Sequence, residues 1–194
     1  MDKNPKDPVY EKLEFEIDAE QILLHSRNIM LYGEISTPKS EIICQQLLAL
    51  DILETAPIAL WINSCGGVIA SSLAIVDTIA GLKSPVYTFV CGNACSGGAL
   101  VALAGEKRVM TANSCFMLHD PSINGYEEYA DKMIARAEGY ALKIQKLIFD
   151  YIKKRTLLTD EDLEQAKTKE LWLFAKDCKK KGIVNHVTKG LKKL

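Results

Sequence analysis

The chain has 194 residues, 48% of them hydrophobic and 25% charged, with a formal net charge of −1. That balance fits one globular unit with a sizeable core and excludes a disordered, collagen-like or strongly basic nucleic-acid-binding polypeptide. Met1 to Tyr10 lacks the apolar centre of a secretory signal, and no apolar run reaches the ~20 residues of a membrane span, so a soluble cytoplasmic protein is expected, without a membrane partner.

Residues 1–11 are polar and carry Pro5 and Pro8, which predicts a mobile arm, while the alternation in Leu13-Glu-Phe-Glu-Ile17 predicts a half-exposed strand. Asn28 to Gly33 reads as a short apolar strand. Thr37 as N-cap and Pro38 at the first helical position then open a helix to about Leu53. Pro57 to Asn63 is apolar almost without a break, as a strand buried on both faces of a parallel sheet should be. A turn at Ser64 to Gly67, a helix from about Val68 to Leu82 and a strand from Ser84 to Cys91 follow. The next turn, Cys91-Gly-Asn-Ala-Cys-Ser-Gly-Gly-Ala99, leads into a buried helix that ends at Gly105.

Short strands are predicted at Arg108 to Met110 and Cys115 to Leu118, the second running straight into His119. Beyond a turn at Ser122 to Gly125 the chain reads as helical to about Lys154, and Thr159 with Asp160, Glu161 and Asp162 opens a further helix. The end reads as the segment Glu170-Leu-Trp-Leu173, a short helix over 175–181 and a closing strand from Ile183 to Val187. The alternation of strand and helix with short connections predicts an α/β fold with a mainly parallel sheet, in one domain spanning 1–194.

Ligand sites in such folds lie at the C-terminal ends of the strands, and both glycine-rich turns and His119 fall there. A serine hydroxyl needs a base to take its proton, a third group to orient the base, and N–H donors for the oxyanion that forms. Ser96, His119, an acid further on and the backbone at Gly67 and Gly97 are the candidate parts. Each alone has a plainer reading, Ser96 as a turn residue and His119 as a hydrogen-bonded structural histidine. Cys95 is the alternative nucleophile, disfavoured by the strand-end register. The six cysteines (Cys44, Cys65, Cys91, Cys95, Cys115 and Cys178) show no Cys-x-x-Cys pair or Cys/His cluster, so reduced thiols and no metal are expected. The lysines near the C-terminus, Lys176 to Lys193, read as a solvated face and not as a nucleic-acid patch.

The series Ile62-Asn-Ser-Cys-Gly-Gly67, Ala74-Ile-Val-Asp-Thr-Ile79, the Cys91 to Ala99 segment, Ala104-Gly105, Lys107-Arg108, Asn113-Ser114 and Met117-Leu-His-Asp-Pro121 resembles the Clp protease proteolytic subunit. The similarity runs in order from about Asn28 to Pro121, and more loosely to about residue 187. It implies the ClpP/crotonase fold and a serine endopeptidase with Ser96 as nucleophile, His119 as general base and Gly67 and Gly97 as oxyanion donors. The acid, aspartate in the family, falls at Glu170, ahead of Trp172-Leu-Phe-Ala175 and Gly182-Ile-Val-Asn185; Asp177 is a substitute of lower standing.

Other departures are Gly97, where the family commonly has methionine, Cys65 where it has proline, and Asp120 where it has glutamine. An acid at 120 beside His119 would favour the protonated imidazole. The resemblance further implies two stacked heptameric rings enclosing the active sites, with 122–154 as the handle joining them and the N-terminal arm as an axial gate. An ATP-driven unfoldase partner would feed unfolded polypeptide into the chamber. The chain has no phosphate-binding Gly-x-x-x-x-Gly-Lys loop, so ATP would be used by that partner, and no bound cofactor is expected. Two alternatives remain: a catalytically impaired ring subunit, prompted by Glu170 and Gly97, and a crotonase-like acyl-CoA enzyme.

Overall fold

The computed structural model describes residues 18–122 and 130–190. The expected N-terminal arm, the strand at Leu13 to Ile17 and the turn at Gly125 lie outside them. In chain order the elements are α1 (Ala19–His25), β1 (Asn28–Ile35), α2 (Thr37–Leu53), β2 (Ile58–Gly67), α3 (Ile69–Gly81), β3 (Val86–Cys95), α4 (Gly97–Ala104), β4 (Lys107–Thr111) and β5 (Cys115–Leu118). Then come α5 (Ala130–Arg136), a π-helical turn (Ala137–Ala141), α6 (Leu142–Arg155), α7 (Asp160–Thr168), β6 (Leu171–Phe174), α8 (Ala175–Lys180) and β7 (His186–Thr188).

The strands form a sheet in the order β1-β2-β3-β4-β7, all parallel, with β5 parallel to β3 and β6 antiparallel to β5. This is the mainly parallel α/β architecture that the alternation predicts. Ile58, Leu60 and Ile62 of β2 and Leu31 of β1 are fully buried, as strands covered by helices on both faces require. No helix among the described residues is long and apolar enough to cross a membrane.

The strands differ from expectation at their C-terminal ends. β2 continues through Ser64 to Gly67, pairing Glu34 with Gly66 and Ile35 with Gly67 after an irregularity in the ladder. β3 continues through Gly92 to Cys95. Asn63 Oδ1 accepts from the Asn93 N–H at 3.0 Å, and Ser114 Oγ accepts from the Gly92 N–H at 2.8 Å and donates to the Val90 carbonyl at 3.1 Å. Those side chains satisfy the backbone where the regular ladder is interrupted, so a polar, glycine-containing run remains a strand. The helix at 37–53 is capped one residue earlier than expected, since Ser36 Oγ accepts from the Lys39 N–H. α1 has no counterpart in the periodicity; none of its residues is buried, and Asp18 caps it by accepting from the Glu20 and Gln21 N–H groups.

β3 serves two neighbours in succession. Tyr87 to Val90 pair with β4, and Asn93 to Cys95 pair with β5. The residue after β3 thereby lies beside the end of β5, and α4 begins immediately. Gly97 to Leu103 of α4 are all buried, so this helix is surrounded by protein, and its C-terminal carbonyls need internal donors. Arg155, the last residue of α6, provides them: Nε donates to the Leu103 carbonyl at 2.9 Å and Nη2 donates to those of Ala104 and Gly105 at 3.0 and 2.8 Å. Charge-assisted bonds of this kind are worth about 1.5–3 kcal/mol each before non-additivity. Replacing Arg155 with Met, which keeps most of the stem, is expected to destabilise the protein by about 2–4 kcal/mol in urea denaturation, with an unchanged m-value.

Candidate active site

Ser96 stands alone between β3 and α4, at φ 53° and ψ −122°, a conformation that a side chain with Cβ seldom adopts. Its surroundings hold it there. Its N–H donates to the Met117 carbonyl of β5 at 2.9 Å, and its carbonyl accepts from Ala99 and Leu100 at 3.0 and 3.3 Å, capping α4 through the backbone. The hydroxyl does not cap the helix and is left for other partners. His119, the first residue beyond β5, brings Nε2 to 2.9 Å from Ser96 Oγ, the separation at which an unprotonated imidazole accepts the hydroxyl proton. The sharp strand-to-helix turn and the base opposite it follow from one register, Cys95 with Met117.

The two glycines proposed as donors also meet at this turn. Gly97, first residue of α4, has an N–H with no acceptor inside the helix. A Cβ on Gly97 would lie 2.2 Å from Ser72 Oγ of α3 and 3.6 Å from the Gly67 nitrogen, so Ser72 fills the space where a larger side chain would have to begin. Gly67 sits at φ 152°, and a Cβ there would lie 2.4 Å from the Ile35 carbonyl oxygen. Both positions admit glycine because backbone or buried side chain approaches from the Cβ direction.

Glu170 immediately precedes β6. Leu118 with Leu171 is the last pair of the ladder, and one further step along that register would set His119 opposite Glu170. Directly opposed residues project to the same face with Cβ atoms about 4.5–5.5 Å apart. The Glu170 carboxylate, however, accepts from Trp172 Nε1 at 2.7 Å, while among the described residues the only hydrogen bond of the His119 ring is the one to Ser96. The structure thus brings Ser96 and His119 together and leaves Glu170 just beyond the β5–β6 ladder, without a bond between acid and base. Asp177 is exposed in the first turn of α8 and makes no hydrogen bond to His119. Asp120, expected to act on His119, has its carboxylate engaged by Gln145 Nε2 of α6 at 2.7 Å. Sequence reasoning passed over Trp172 and Ser72; an indole two residues beyond an acid on one strand was the available signal for the first.

Cys95 is 3% exposed. Burial pushes its thiol up to about 12, with Cys115, Cys65 and the Glu170 carboxylate adding to the effect, so it stays a neutral, poorly nucleophilic thiol near neutral pH. Beside Ser96 and His119 lies a shallow cavity of about 20 Å³ lined by Ile69, Leu100, Leu118, Pro121, Ile148 and Ile152. Apart from Ser96 and His119 its lining is apolar. The larger groove, about 570 Å³ between α1, β1 and α2, contains no paired nucleophile and base. No group of three or more His, Cys, Asp or Glu among the described residues is arranged to hold a metal ion.

A family model for the Clp protease matches residues 11–190. The chain belongs to the Clp protease family. A solved structure of a mutant of ClpP1 from Listeria monocytogenes superimposes with a TM-score of 0.79 at 28% identity, covering 88% of this chain and 96% of that one. The parallel sheet, the β3 to α4 turn and the antiparallel β5–β6 pair are thus parts of a ClpP-like fold. Family membership supports a peptidase.

Gly97→Ala is expected to cost about 1–3 kcal/mol through the contact with Ser72, and Ser72→Ala in the same chain is expected to recover part of it, as read by a double-mutant cycle in urea. Iodoacetamide at pH 8 is expected to leave Cys95 unmodified in the folded protein and to label it once denaturant is added, as read by peptide mass mapping.

Proposed function

We propose that this Clp protease family member is a serine endopeptidase that cleaves unfolded polypeptides. The observation that carries the proposal is the 2.9 Å approach of His119 Nε2 to Ser96 Oγ at a strained strand-to-helix turn. In this reading Ser96 Oγ attacks the scissile carbonyl carbon as its proton passes to His119 Nε2, and the oxyanion accepts from the Gly67 and Gly97 N–H groups. His119 then gives the proton to the departing amine, and water, deprotonated by the same ring, releases the acyl group from Ser96. Glu170 is the acid that supports the imidazolium when its carboxylate turns toward His119.

The chemistry draws on serine, histidine, carboxylate and backbone, with no metal or bound cofactor. Family membership supports an oligomeric proteolytic assembly, and the reading extends it to one peptidase domain over 1–194, two stacked heptameric rings with α5 and α6 within the handle, and a cytoplasmic location. The substrate would be fed by an ATP-dependent unfoldase, the nucleotide acting on that partner.

The bond from Trp172 to Glu170 favours a second reading, a catalytically impaired ring subunit. A fluorophosphonate probe distinguishes the two. Modification of the assembled protein at Ser96, mapped by mass spectrometry and lost in His119→Ala, is expected of the peptidase. An unlabelled Ser96 in folded, assembled protein would leave the impaired subunit as the reading.

A further inference from the structure

We propose that Trp172 is a positioning residue which sets the strength of the catalytic base by holding the Glu170 carboxylate away from His119. The inference rests on the serine peptidase reading and deepens it. Glu170 and Trp172 stand two residues apart along an extended segment, so both project to one face, and Trp172 is 47% exposed on that face. The β5–β6 register sets Met117 opposite Trp172 and Leu118 opposite Leu171, and its continuation by one step would bring His119 opposite Glu170. The carboxylate therefore has two donors within the reach of a glutamate side chain: the indole N–H along its own strand and the imidazole Nδ1–H across the pair. In the structure the indole has it, at 2.7 Å.

The extra methylene of glutamate gives this choice its physical basis, since it lets the carboxylate extend along the strand to the indole. The titratable groups around this face are Cys95, Cys115 and His119, with Cys65 of β2 beside Cys95, and Cys95 lies close enough to Glu170 for the carboxylate to raise its thiol further. No cationic side chain hydrogen-bonds the Glu170 carboxylate among the described residues; the indole is its hydrogen-bond donor and the uncharged competitor of His119. When the indole is lost, the carboxylate gains by turning to His119, because an imidazolium is the stronger donor. His119 then becomes more basic, and the imidazolium formed during attack by Ser96 is stabilised.

The test uses the full-length assembled protein and the second-order rate of fluorophosphonate acylation at Ser96, measured from pH 5 to 9 for the wild type, Trp172→Phe, Glu170→Gln and the double variant. Trp172→Phe is expected to acylate at least threefold faster at the plateau, with its acid limb moved to higher pH because the paired histidine keeps its proton longer. Adding Glu170→Gln should abolish both changes and return the rate of Glu170→Gln alone. A purely structural indole predicts the opposite, a slower Trp172→Phe with an unmoved acid limb.

The inference is overturned if Trp172→Phe is no faster than a wild type that labels at Ser96, or if its gain survives in the double variant. Failure of Ser96 to label in all four folded proteins would overturn it together with the serine peptidase reading. The two failures are thus distinguishable.

Discussion

The site depends on one constraint: β3 must change partners partway along its length. Its first half is bonded to β4 and its second to β5, with Ser114 satisfying backbone groups near the point of change. Were β3 to keep β4 as its neighbour to the end, His119 would have no place beside Ser96. The hydrogen bond from the Ser96 N–H to Met117 belongs to the same arrangement, tying the strained residue to the strand that delivers the base. Strain at Ser96 is tolerated because β5, α4 and the Gly66–Gly67 segment of β2 each restrict it from a different side.

The parts of the site differ in how firmly they are held. Ser96 and His119 sit at the ends of paired strands and are positioned by backbone. Glu170 is positioned by backbone only as far as its Cβ, and its carboxylate is held by the Trp172 indole. An aspartate has less freedom of this kind, so glutamate at the acid position makes the third member of the site adjustable where the first two are fixed.

Much of this architecture was legible in the sequence. Uninterrupted apolar runs marked the centres of β1, β2 and β3, and the hydroxyl-proline pair marked the start of α2 to within a residue, with Ser36 in place of Thr37 decided by a single hydrogen bond. The strand ends were hidden because Ser64 to Gly67 and Gly92 to Cys95 look like turns, and their pairing depends on Asn63 and Ser114, which are distant in sequence or lie outside the run. α1 was hidden for a different reason: it is a short helix with no buried residue, and its apolar residues Ile22, Leu23 and Leu24 span barely one turn. Ser96 and His119 could be nominated from their places at strand ends, whereas Glu170 came only from the family resemblance. The attachment of its carboxylate to Trp172 is a matter of side-chain geometry that strand spacing does not express.

Arg155 has a consequence for the order in which the protein comes into being. The carbonyl end of α4 is completed by a residue about fifty positions downstream, and β5 acquires its second neighbour only when β6 has been made. A ribosome releasing the chain from the N-terminus therefore exposes Ser96 long before the groups that lock its helix and face its base. The nucleophile is thus made well before the arginine that closes its helix, and longer still before the strand that flanks its base.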